Sequence, residues 1–205
     1  MRSLHNGLTR ICEALMLLTL LNFLWVLFTL GGLIIFGIAP ATIALFGVIR
    51  KWLKGDLTSG IFRTFFQFYC SEFMKGNKLG LIAAIIGIGL YVDFLLLRNL
   101  PTYIQYGLSS LLIIVLIIAV YLFPVYVHYE LKSYQYIKLA LIFGFSYPIY
   151  TLSMIFGTIV LGMMLYLFPV LWPFFSINII SLFLTWQFLR IDAKKGVLLN
   201  EDGLG

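Results

Sequence analysis

Residues 14–49 read ALMLLTLLNFLWVLFTLGGLIIFGIAPATIALFGVI, a run of 36 positions with no charged side chain. A helix crosses a bilayer with about 20 apolar residues, within a working range of roughly 17–25. The run is therefore too long for one span and long enough for two. Gly31-Gly32 offers a natural break, and Pro40 is a second disruption. In one reading, 14–30 and 33–49 form a tight hairpin of two short spans. In the other, a single long span ends near Ile38 and the Pro40 segment lies at the interface.

Charge separates the two readings, because Lys and Arg concentrate in cytoplasmic loops. Arg2 and Arg10 precede the run, while Arg50, Lys51, Lys54, Arg63, Lys75 and Lys78 follow it. The hairpin puts both groups on one side, and the single span separates them. The hairpin is favoured. Arg2 and Arg10 ahead of an apolar run imitate a secretory leader, but no small-residue cleavage site closes the run, so it is expected to be retained.

Further along, 79–97, 107–127, 139–167 and 174–189 are apolar, with Pro148 as a kink or break in the third of these and Pro169 and Pro173 in a turn before the last. Six spans result, or five if 33–49 does not cross. With six, thirteen of the fourteen basic residues fall on the cytoplasmic side and Arg98 alone falls outside. Both termini are then cytoplasmic, and so are Cys12 and Cys70, which are expected to stay reduced. Trp52, Tyr103, Tyr106, Tyr126, Tyr129, Trp172 and Trp186 lie near span ends, as an interfacial belt requires. Between the second and third spans, Phe62, Phe65, Phe66, Tyr69 and Phe73 share a helical face. An amphipathic helix at 59–76, lying in the cytoplasmic interface or packing beneath the bundle, accounts for them.

Composition bounds the class. The 205 residues are 62% hydrophobic and 11% charged, against about 25% charged in soluble domains; the mean hydropathy is +1.04. The expectation is an all-α polytopic transmembrane bundle forming one domain in a bilayer. The net charge of +6 reports orientation and contact with lipid head groups, with no nucleic-acid partner implied. No phosphate-cradling loop, HExxH motif or paired-cysteine spacing is present. His5 and His128 have no neighbouring Cys or His for a metal site, and no nucleophile stands beside an activating base. No enzyme, cofactor or metal is expected.

Polar residues inside spans are costly and suspect. Asp93 is the only acidic residue within one, about a turn from Arg98, and is either an interfacial carboxylate or a proton or cation site. Asn22 and Asn178 can bond to other helices. Asn178, Ser181 and Thr185 share a face that serves either as glue between helices or as the lining of a polar path.

Asn22, Leu24 and Trp25, then Gly32 and Gly37, then Pro40-Ala41-Thr42 with Ala44, Leu45 and Phe46, then Arg50 and Trp52, resemble the signature of the YesL family of bacterial integral membrane proteins. Phe73 and Asp93 extend the resemblance, which is densest over the first 95 residues. It implies a multi-pass bacterial cell-membrane protein, often encoded near carbohydrate ABC-importer components and glycan-degrading enzymes. An accessory or partner of such an importer is the expected role, with a small transporter or channel for a polar solute as the alternative and self-association compatible with both. The resemblance carries no catalytic residue, and the loop by which importer permeases engage their ATPase has no match here. Pro40 before Thr42 is expected to kink the hairpin or to break it towards a ligand.

Overall fold

The computed structural model describes residues 2–96, 102–129, 131 and 133–202. Every regular element among them is helical: α1 (Arg2–Gly31), α2 (Ile35–Lys54), α3 (Ile61–Leu96), α4 (Thr102–His128), α5 (Ser133–Ser146), α6 (Pro148–Leu167), a single 3-10 turn (Pro169–Leu171) and α7 (Trp172–Asp202).

The long apolar run folds as a hairpin of two helices. Its turn places Leu33 and Ile34 at φ 58° and 63°, a left-handed conformation that costs non-glycine residues about 1–2 kcal/mol each. The turn is held by Gly32 N–H donating to Phe28 O at 3.0 Å and Ile34 N–H donating to Thr29 O at 2.9 Å. Two glycines let the arms close. A Cβ on Gly32 would overlap the Gly37 Cα, and one on Gly37 would overlap the Thr29 carbonyl.

The second arm, α2, is the axis of the bundle. Ala39 through Ile49 are buried without exception, and a helix apolar on all sides is expected to be enclosed. One face, with Ala41, Ala44, Leu45 and Val48, packs on Leu17, Leu21 and Leu24 of α1 and on Phe65 and Tyr69 of α3. The other, with Ile43 and Phe46, packs on Tyr121 and Val125 of α4, Phe143 of α5 and Phe188 of α7. Helix α2 ends at Gly55, whose φ of 77° makes it a left-handed cap.

Helix α3 corrects an expectation. The sequence suggests an interfacial helix at 59–76 and a separate span at 79–97, divided at Gly76-Asn77-Lys78. One helix, Ile61–Leu96, runs across the division. A glycine inside a helix costs only about 1 kcal/mol, and here it permits contact: a Cβ on Gly76 would lie 3.4 Å from the Pro40 Cα. Asn77 Nδ2 donates back to Phe73 O at 2.9 Å, so its side chain does not interrupt the helix. The aromatic face of α3 lies against protein. Phe28 of α1 meets the rings of Phe65 and Tyr69 at 5.3 and 4.9 Å. Phe62 and Phe66 remain exposed at its rim.

Pro148 breaks its segment outright. Tyr147 leaves helical geometry at φ −127°, ψ 64°, and Pro148 opens α6 at a position where its missing N–H is harmless. Thr151 closes the break, its hydroxyl lying 2.9 Å from Gly144 O and 3.1 Å from Tyr147 O, with the Tyr121 hydroxyl 3.0 Å away.

Among the described residues three helical stretches are long and apolar enough to cross a membrane: Cys12–Gly31, Ile35–Lys54 and Pro148–Leu167; Leu112–His128 is a shorter apolar helix. Large apolar side chains stand exposed along α1 (Phe23, Leu27), the second half of α3 (Leu81, Ile88) and α6 (Ile149, Phe156). A soluble monomer rarely exposes such continuous faces. The loop with Arg98 and the side chain of Asp93 lie outside the described residues.

The hairpin contact gives a paired test. Gly37→Ala forces a methyl into backbone and should cost about 1–3 kcal/mol. Gly31→Ala, with nothing within 4 Å of its Cβ, should be neutral. Thermal unfolding in detergent should separate the two; equal melting temperatures would contradict the close approach.

Candidate functional site

The sequence-predicted residues sort into two groups. Most are structural. Trp25 Nε1 donates to Thr42 Oγ1 at 3.1 Å, and the Thr42 hydroxyl donates to Ile38 O at 2.7 Å. That bond does not serve the Phe36 carbonyl, which Pro40 leaves without its helical donor. Pro40 is buried facing α3, and α2 continues through it unbroken, so the ligand-facing break is not observed. Asn22 bridges α1 to the start of α7: its Nδ2 donates to Trp172 O at 3.3 Å and its Oδ1 accepts from Ser176 at 2.8 Å. Asn178 Nδ2 donates to Leu18 O at 2.7 Å. Ser181 and Thr185 bond back into their own helix, to Ile177 O and Ser181 O. The polar face of α7 thus joins helices and bonds within itself, while the buried Asn178 Oδ1 has no partner. Trp52 is half-buried beside a shallow apolar groove shared with Leu161, Phe183 and Trp186.

Arg50 belongs to the second group. It leaves the last buried turn of α2 and reaches the end of α4, where Nη1 donates to Val127 O at 2.9 Å. The final carbonyls of a helix lack intrahelical donors, and a cation there also favours the helix dipole. Arg50 lines a polar cleft of roughly 730 Å³ together with Phe68, Glu72, Lys75, Lys78, Tyr126, His128, Tyr129 and Tyr136. Ile43 and Leu79, both buried, also line it.

Hydrogen bonds across helices fix the walls. Tyr126 donates to Glu72 Oε2 at 2.6 Å, tying α4 to α3. Tyr129 donates to Asp192 Oδ1 at 2.7 Å, and His128 Nε2 lies 3.0 Å from Asp192 Oδ2, tying the end of α4 to α7. The Tyr136 hydroxyl accepts from Leu131 N–H at 2.9 Å. Sequence reasoning notes Lys75 and His128 singly and misses the constellation.

Burial holds His128, the first residue beyond the apolar run of α4, below the usual imidazole range. Arg50 and Lys54 push the same way, and the Asp192 carboxylate opposes them. At neutral pH the contact is therefore a hydrogen bond from a neutral imidazole, with the proton on Nε2. Burial, and then the bond to Asp192, keeps the Tyr129 phenol protonated far above its ordinary pKa. The buried Nδ1 of His128 and Nε of Arg50 have no partner. No group of three metal-ligating side chains occurs among the described residues.

Residues 18–94, which supply α2 with its PAT triplet, Arg50 and the Glu72 wall, match the family model described as "Protein of unknown function, DUF624". Three Bacillus subtilis (strain 168) proteins resemble nearly the whole chain. Uncharacterized protein YteU is 37% identical over 86% of this chain and 83% of its own. Uncharacterized proteins YesL and YesV are each 36% identical, over 89% and 87% of this chain and 88% of their own. The chain belongs to the DUF624, or YesL-type, family. No solved structure matches it. Within this DUF624 protein the family region supplies the enclosed axis and one wall of the cleft, while the end of α4 and the start of α5 supply the rest, with Asp192 of α7 behind them.

His128 makes stability pH-dependent. Unfolded, it protonates near pH 6.5; folded, only at lower pH. The neutral His128 contribution is full above about pH 6.5 and is lost as pH falls through the depressed folded value. The melting temperature should drop between about pH 7 and about pH 5, and His128→Gln should flatten that drop. Parallel profiles for the two proteins would contradict the assignment.

Proposed function

We propose that this chain is a non-enzymatic, six-span protein of the bacterial cell membrane, with both termini in the cytoplasm, serving as an accessory partner of a carbohydrate-uptake system. The observation that carries the reading is the cleft and the filled core beside it. The cleft lies between the middle of α3, the end of α4 and the start of α5, and its lining residues Ile43 and Leu79 belong with a core filled by Phe46, Tyr121, Phe143 and Phe188. Such an interior suits a protein that binds and docks better than one that conducts. The basic residues support the orientation, since the cleft end carries Arg50, Lys75 and Lys78. Six spans follow if α5 and α6 together make one broken crossing. The uptake partnership rests on the family resemblance, and the exposed apolar faces of α1, α3 and α6 offer surfaces for a membrane partner, for another copy or for lipid.

The break at Tyr147-Pro148 favours the second reading, a small transporter for a polar solute, because discontinuous helices form transporter sites. Flux of oligosaccharides or protons into liposomes, compared with Asp93→Asn, separates the readings; gradient-driven flux by the purified chain would replace the first with the second.

Topology is checked by cysteine labelling after Cys12 and Cys70, both exposed, are changed to serine. Gly31→Cys, Arg98→Cys and Pro169→Cys should each react with impermeant reagent from outside the cell. Reaction only from the cytoplasmic side would overturn the orientation. The partnership is checked by crosslinking in cells and mild detergent purification: a carbohydrate-importer subunit should be recovered with the chain, and recovery as a lone protein counts against it.

A further inference from the structure

The cleft has a charge balance that its own hydrogen bonds do not explain. The carboxylate on its wall is engaged by a neutral donor, since Glu72 accepts the Tyr126 hydroxyl. Asp192, behind the wall, likewise takes Tyr129 and His128. Its cations are not neutralised in return. Among the described residues Arg50, Lys75 and Lys78 make no ion pair, although all three line the same roughly 730 Å³ space. Among its described lining residues three positive charges thus face one negative charge in a cleft walled by aromatic rings, where the field is screened less than at an open surface.

Arg50 makes the imbalance specific. Its Nη1 donates to Val127 O, which fixes the guanidinium at the cleft wall, and among the described residues no carboxylate is paired with it. The planar fork of arginine fits the two oxygens of a carboxylate or phosphate.

We propose that the cleft is a binding site for an oxyanion, a carboxylate or phosphate carried either on a polar solute or on a lipid head group. The guanidinium of Arg50 anchors the anion, and Lys75 and Lys78 attract it. The site requires a folded chain in a bilayer and no protein partner, so a failed co-purification leaves it intact and a failed binding experiment leaves the partnership intact.

The test uses the full chain in two kinds of nanodisc. In neutral phosphatidylcholine discs, calorimetry with glucuronate and with inorganic phosphate should give saturable binding if the source is a solute, with glucose as the uncharged control. In discs containing phosphatidylglycerol, native mass spectrometry should find retained anionic lipid if the source is a lipid. One arm at least should be positive, and its affinity should fall about tenfold or more in Arg50→Gln and in the double variant Lys75→Gln/Lys78→Gln. Arg50→Gln also uncaps α4. The lysines are exposed, so the double variant keeps the test valid if Arg50→Gln fails to fold. No binding in either arm, glucose binding as well as glucuronate, or equal affinity in the lysine double variant would overturn the proposal.

Discussion

Enclosure of α2 is the constraint on which the other helices depend. Inside a bilayer, lipid tails are as apolar as leucine, so helices associate through close packing and interhelical hydrogen bonds. The sequence of α2 suits that need. Gly37, Ala39, Ala41, Ala44 and Gly47 are small and buried, and where neighbours come nearest they are small as well: a Cβ on Gly80 of α3 would overlap the Ala39 methyl. Bulk is confined to positions such as Ile43, Leu45, Phe46 and Ile49, which enter one apolar cluster or the other. Because one helix supplies a face to both clusters, α1 and α3 on one side are positioned relative to α4–α7 on the other through its backbone.

The buried polar groups reinforce this arrangement. Trp25 to Thr42 fastens the hairpin, Asn22 and Asn178 fasten α1 to α7, and Tyr121 to Thr151 fastens α4 across the α5–α6 break. Measured bonds of this type in membranes contribute about 1 kcal/mol or less on average. Their larger effect is on register, since sliding one helix by a turn would leave several donors unpaired in an apolar interior.

What could be read from the sequence follows the range of the interaction. The hairpin is legible because Gly31-Gly32 acts on the local backbone and the flanking charges report sidedness. The break at Pro148 is legible because a proline constrains the residue before it. The continuity of α3 is not legible: Lys75, Gly76, Asn77 and Lys78 look like a boundary until Gly76 is seen against Pro40, a contact made 36 positions away. The cleft is hidden for the same reason. Tyr126 and Glu72 are 54 positions apart, and Tyr129 and Asp192 are 63 apart. Each alone is an ordinary polar residue near the end of an apolar run. In the sequence Arg50 stands out only as one of a basic group and in the family signature, and the bond to Val127 O supplies a physical reason for its place there.

That bond also explains why the core and the cleft are not independent parts. The backbone of Arg50 continues the enclosed face of α2, while its guanidinium ends at the last turn of α4, beside Tyr126, His128 and Tyr129. Those three residues in turn orient Glu72 and Asp192. A change in packing along α2 would be transmitted to the cleft through Arg50 and Ile43, the side chains by which α2 lines it. The polar end of the bundle is therefore positioned by its apolar centre, and the residues that confer charge on the cleft owe their geometry to a helix that touches neither solvent nor lipid over most of its length.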